Sequence, residues 1–325
     1  MGALAGVTAI GIAAVAAPPV TGAQHAGRHG TAPVHHRPAL STAPHPAPPK
    51  LPPGLGPPFA VHEESVNLVD PTRSTPARGS VPAAPGRILT TDLFVPDGAP
   101  APLPLVVFAH GWNSDPAVYQ PLLERWAEAG FLVAAPIFPD STDLYAGSPV
   151  SNYADQALDI SFVISSLLPA KVDGLAIDST RIAVAGHSDG GTDVGVLALD
   201  PAYADSRVRA YVCLSGEMPS GVAPFTVAPS GAALFVAVGS ADEYGLYPLT
   251  TDVFNAAVTS SKAMVVQEGG DHLGSFVGDT PAAAGMREET TRFLELALEP
   301  RAPTSSAMVS ALELPSSPSL TVVPP

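Results

Sequence analysis

The chain is poor in cysteine and in basic residues, and each shortage closes off a class of protein. Cys213 is its only cysteine, so no disulfide can form within the chain. The apolar residues around it, Val208 to Leu214, place the thiol in a buried strand, where it acts as a small hydrophobe. The chain has 15 Lys and Arg against 30 Asp and Glu, for a net charge of −15. Nucleic acid and anionic membrane surfaces both require positive charge from the protein, so neither is an expected partner. The acidity fits a neutral or cationic substrate, or serves solubility alone. The sequence has no glycine-rich phosphate loop and no His/Cys cluster at metal-ligand spacing, so no cofactor and no metal is expected.

What is present is apolar and orderly. Hydrophobic residues make up 46% of the chain and charged ones 14%, while the 38 prolines crowd its two ends. Residues 1–23 read as a leader segment. Their apolar run, Gly2 to Ala17, is too short to span a membrane comfortably, which takes about 20 residues, but suits a secretory signal, although basic residues are missing ahead of it. Residues 24–58 are a Pro/His-rich linker without hydrophobic periodicity, expected to be disordered. His25, His29, His35, His36 and His45 lie in it, and frequent proline argues for a solvated tract over a metal site. Residues 59–299 form the catalytic domain, and 300–325 read as a Pro/Ser-rich disordered tail. These features imply a protein that is secreted or held in the cell envelope, without a stable membrane span after processing; a monomer is expected, although the sequence does not set the oligomeric state.

Within 59–299, Val61 to Val69 and Arg87 to Val95 read as an antiparallel opening pair of strands. Continuous apolar runs follow at Leu103 to Ala109, Phe131 to Ala135, Arg181 to Ala185, Val208 to Leu214, Ala233 to Val238 and Ala263 to Gln267. Such runs suit parallel strands buried on both faces. Helical stretches separate them: Val118 to Ala129, Tyr153 to Leu168, Asp189 to Leu199, Thr250 to Thr259 and Ala282 to Leu298. The alternation predicts an α/β fold, a mostly parallel doubly wound sheet with antiparallel N-terminal strands. No segment is spare to build a large lid, so an open site is expected.

The sharpest local signal is Gly186-His187-Ser188-Asp189-Gly190-Gly191. It follows four apolar strand residues and opens a helix, the strand–turn–helix context of a nucleophile elbow. A serine hydroxyl needs a base at neutral pH. Of the histidines outside the linker (His62, His110, His187 and His272), only His272 lies late enough for the chain order serine, acid, histidine. Asp242, just past the apolar run Ala233 to Val238, is the expected acid, with Glu243, Asp252 and Asp271 as rivals. The oxyanion needs two main-chain donors. The expected pair is Asp189 N–H, at the start of the elbow helix, and Trp112 N–H, with Asn113 as the fallback. Substrate contacts are expected from Trp112, His187 and Tyr244. A carboxylate at Asp189 should disfavour negative charge developing beside it, unless it points away or recognises a cationic group.

These residues carry a resemblance. Leu68–Arg73, Val106–Trp112, Gly130–Pro136, Gly186–Gly191, Gly239–Asp242 and Gly270–His272 together resemble α/β-hydrolase serine esterases of the dienelactone hydrolase-like, chlorophyllase-like and polyester (cutinase-like) hydrolase group of actinobacteria. The resemblance covers about residues 60 to 298. It implies the α/β-hydrolase fold and a cofactor-free carboxylic-ester hydrolase acting on a small-molecule ester. It also implies Ser188, Asp242 and His272 as the triad, with Trp112 and Asp189 as the amide donors. The chain departs from the secreted polyester hydrolases of that group, which carry a C-terminal disulfide and a cleft tryptophan. Here Cys213 is alone, and Glu217 to Ser230 holds Phe225 but no Trp. A peptidase or amidase on the same fold and a catalytically silent secreted binding protein stay open as alternatives.

Overall fold

A computed structural model describes residues 58–79, 82–145, 147, 149–219, 226–299, 304–312 and 320–323. The expected leader, nearly all of the linker with its five histidines, and Phe225 lie outside these residues.

The apolar runs become strands because both of their faces find a hydrophobic layer. Nine strands form one sheet among the described residues: β1 (Val61–Asp70), β2 (Arg87–Pro96), β3 (Leu103–Ala109), β4 (Leu132–Pro136), β5 (Ile177–His187), β6 (Val208–Leu214), β7 (Ala233–Gly239), β8 (Lys262–Gln267) and β9 (Leu320–Val323). Their spatial order is β1-β2-β4-β3-β5-β6-β7-β8-β9. β1 and β2 pair antiparallel, β2 meets β4 antiparallel, and β3 to β8 run parallel. Alternate residues of one strand serve opposite layers. On β3, Leu105, Val107 and Ala109 join one core and Val106 and Phe108 the other. On β7, Leu234, Val236 and Val238 face the first core, and Ala233, Phe235 and Ala237 the second.

Helices close both faces. α2 (Tyr153–Leu167), α3 (Asp189–Leu199) and α4 (Leu246–Ala256) bury Ile160, Val163, Val194 and Phe254 in the first core. α1 (Gln120–Glu128) and α5 (Pro281–Ala297) bury Leu122, Trp126, Phe293 and Leu294 in the second. The expected α/β architecture therefore holds; β5 runs past Arg181 to Ala185 at both ends, and otherwise the strand and helix positions hold with two exceptions.

The first exception is α4, which begins four residues earlier than its pattern suggested. Gly245 takes a left-handed conformation (φ 72°) ahead of it, and Pro248 falls in the first turn, where a missing N–H leaves no helical hydrogen bond unmade.

The second exception is the C-terminal tail, read as disordered. Its described parts are structured. α6 (Ser305–Leu312) buries Met308, Val309 and Leu312 against the second core. β9 pairs antiparallel with β8, Val265 opposite Val322. The parallel sheet would otherwise end on the unpaired edge of β8. The short apolar groups Met308-Val309 and Leu320–Val323 supply the cover, despite their Pro/Ser-rich surroundings.

Candidate active site

The order of the strands reverses between β3 and β5, and ligands of open α/β sheets bind at the carboxyl ends of the strands there. The loops leaving β3 and β5 come into close contact: a Cβ added to Gly111 would lie 3.2 Å from Ser188 Cβ. The elbow itself tolerates no side chain at its glycines. A Cβ on Gly186 would sit 2.2 Å from Gly190 O, and one on Gly190 2.1 Å from Ala109 O. Between them Ser188 holds φ 59° and ψ −123°, a sparsely populated conformation for a residue with a side chain, costing on the order of 1–3 kcal/mol. The turn thrusts a half-buried serine out at the amino end of α3, whose first N–H groups have no partner within the helix.

The expected acid and base, Asp242 and His272, sit on loops further along the sheet, beyond β6. Asp242 follows β7 and His272 follows β8. His272 Nδ1–H donates to Asp242 Oδ2 over 2.8 Å, with both side chains almost fully buried. Burial alone would raise the Asp242 carboxyl. The hydrogen bond and ring of His272, with the Tyr244 N–H at 3.0 Å, outweigh it and hold the carboxyl below its usual range. The bond at Nδ1 leaves Nε2 as the basic nitrogen. Ser188 Oγ makes no hydrogen bond to either residue among the described residues.

The rival acids are occupied elsewhere. Glu243 Oε2 accepts from the main-chain N–H of His272 at 2.9 Å, not from its ring. Asp271 Oδ1 accepts from Gly274 N–H within its own turn, and Asp252 is exposed on α4. In the β3 loop, Asn113 N–H is spent on Ser141 O at 2.7 Å, which removes the fallback oxyanion donor. Trp112 is half-buried beside it.

His187 does not serve as a substrate contact, because its ring is fully buried. It instead joins three loops through hydrogen bonds. Gly111 N–H donates to Tyr119 Oη at 3.2 Å, Tyr119 pairs with His187 Nδ1 at 3.0 Å, and His187 Nε2 with His272 O at 3.0 Å. A carbonyl can only accept, so Nε2 carries the proton, and Nδ1 accepts from the tyrosine. Burial, then the nearby His272 ring, holds His187 well below its usual pKa and thus neutral. Burial also pushes Tyr119 up to about 12 and His110 down to about 4. His110 likewise is a strut: its Nε2 accepts from Phe138 N–H at 3.0 Å. Sequence reasoning missed Tyr119, which looks like any aromatic residue at the start of a helix.

Tyr244 does lie at the base. Its ring stands edge-on to His272, centroids 4.8 Å apart, and it is half-exposed. The Asp189 carboxylate turns to the amino end of α2, where Ser151 Oγ donates to Oδ2 and Tyr153 Oη to Oδ1, the latter at 3.3 Å. Cys213 is buried in β6, its thiol against Gly191 O at 3.3 Å and pushed up to about 12 by burial. It is no nucleophile.

Comparison with known proteins bears on the fold and the class of enzyme. A family model described as chlorophyllase matches residues 78–216, less than half the chain, taking in the β3 loop and the elbow but ending ahead of Asp242 and His272. No curated protein matches the sequence. Among solved structures, a ferulic acid esterase from Streptomyces cinnamoneus superposes with a TM-score of 0.61 at 21% identity, covering 82% of this chain and 96% of that one. The likeness shows the α/β-hydrolase fold. With the family match it indicates a hydrolase of the esterase type.

Proposed function

We propose that this α/β-hydrolase cleaves carboxylic esters through an acyl-enzyme on Ser188. Ser188 Oγ attacks the ester carbonyl while His272 Nε2 takes its proton. Asp242 holds the tautomer that leaves Nε2 free and stabilises the imidazolium. The N–H groups of Asp189 and Trp112 bind the oxyanion of the tetrahedral intermediate. His272 returns the proton to the departing alcohol, and a water activated by the same nitrogen then releases the acid. Tyr244 forms a wall of the pocket beside the base. The substrate is a small or medium acyl ester, and the enzyme works outside the cytoplasm or in the cell envelope.

The buried Asp242–His272 hydrogen bond carries this reading, together with a serine held at positive φ whose neighbour in the chain, His187, bonds to the His272 carbonyl. The family match and the structural neighbour support the ester as substrate class, and the apolar segment from Gly2 to Ala17 supports export. A panel of p-nitrophenyl esters of rising acyl length, run beside the matching anilides and a soluble polyester, tests it. Ester turnover that disappears in Ser188→Ala is the expected result. Preferential anilide turnover would move the protein to the amidases, and no turnover of any member would remove it from the enzymes.

A further inference from the structure

Resting on that reading, we infer that Ser151 and Tyr153 are positioning residues that hold the Asp189 carboxylate off the oxyanion site. The problem they solve is local. Asp189 supplies one oxyanion N–H and opens α3, and a carboxylate in the first turn of a helix is drawn to the same unpaired N–H groups that the oxyanion requires. If it turned there, it would compete for the donors and place a full negative charge beside a developing one. At an effective dielectric of about 20, a like charge about 5 Å away would slow the reaction on the order of a hundredfold.

The structure gives the carboxylate another place to go. Ser151 Oγ and Tyr153 Oη each donate to one of its oxygens, so both acceptor atoms are turned toward α2. The donors are themselves anchored. The loop ahead of them is tied down by Arg78, which donates to Pro139 O at 3.0 Å and to Tyr145 O at 2.8 Å. Asp140 in the same loop accepts from the fully buried Arg87 at 2.8 Å and from Asn152 Nδ2. The clamp is therefore part of the fold, built before substrate arrives.

A purely structural role for the two hydroxyls would act whatever stands at 189; this role needs the charge there. The test is a double-mutant cycle read in kcat and KM on one p-nitrophenyl ester. Removing both hydroxyls with Ser151→Ala and Tyr153→Phe is expected to lower kcat about tenfold with KM held within twofold. In an Asp189→Asn background the same pair of changes is expected to alter kcat by less than twofold. Equal losses in both backgrounds, or none in the first, would overturn the inference. Where the paired variant does not fold, by circular dichroism, Tyr153→Phe alone is read in both backgrounds against the same criteria. Absence of ester turnover in the unmodified protein would instead count against the esterase reading.

Discussion

His187 Nε2 donates to the main-chain carbonyl of His272 across 3.0 Å, so the residue before Ser188 supports the loop that carries His272. Through Tyr119 the same chain reaches Gly111 N–H in the β3 loop. The loops that carry Ser188, His272 and Gly111 are thereby registered to one another by neutral, buried groups. None of these groups needs to touch substrate. Their contribution is placement, and an ångström of misplacement in such a site can cost about a hundredfold in rate.

Tyr119→Phe cuts this chain in the middle. It leaves Gly111 N–H and His187 Nδ1 without their partner, and a buried unpaired polar group costs about 1–3 kcal/mol. We expect thermal unfolding to shift downward by that amount and kcat to fall with it. Unchanged stability and turnover would mean that the chain is incidental.

Asp242→Asn should preserve the fold and abolish most activity. The amide can donate to Nδ1, which favours the tautomer with its proton on Nε2, where the base must be empty. A loss of about 10⁴-fold in kcat is expected from this kind of change. Steady-state kinetics on a short-chain ester checks it, and a loss below tenfold would remove Asp242 from the triad.

Much of this was legible in the sequence because the signals were local and strong. Gly186 and Gly190 are dictated by backbone atoms closer than 2.3 Å to where a Cβ would sit. The order serine, aspartate, histidine follows from the topology of the sheet. What was not legible depended on burial and on long-range pairing. His187 lies next to the nucleophile and looked available to substrate, yet a one-residue step along a strand reverses the face and puts its ring inside. Asp189 had two readings until Ser151 and Tyr153 were seen to hold it. Met308 and Val322 were hidden by the composition around them, since a short apolar group in a Pro/Ser-rich stretch has no periodicity to show.

Asp193 supplies a test in pH. It lies one turn below Asp189 on α3, is fully buried, and neither carboxylate oxygen has a hydrogen-bond partner among the described residues. Burial first, and then the charge of Asp189, raises its pKa well above the ordinary 3.8. The folded state therefore binds more protons than the unfolded one above pH 3.8, and stability declines from there as pH rises toward the folded pKa. Asp193→Asn removes that decline. The variant's melting temperature should gain on the unmodified protein between pH 4 and pH 8, whereas a constant difference would contradict a buried acid here.

Truncation after residue 303 would strip α6 and β9. Three apolar side chains lose their burial, worth on the order of 5 kcal/mol, and β8 becomes an exposed edge prone to pairing between molecules. We expect a lower melting temperature and aggregation on heating. Full stability without these residues would show the C-terminal elements to be dispensable.

Labelling with a fluorophosphonate, followed by mass spectrometry of the digested protein, tests the central claim most directly. A single adduct on Ser188, absent in Ser188→Ala and strongly slowed in His272→Ala, is the predicted result. An adduct on another residue, or labelling of Ser188 that proceeds as fast without the imidazole, would contradict it.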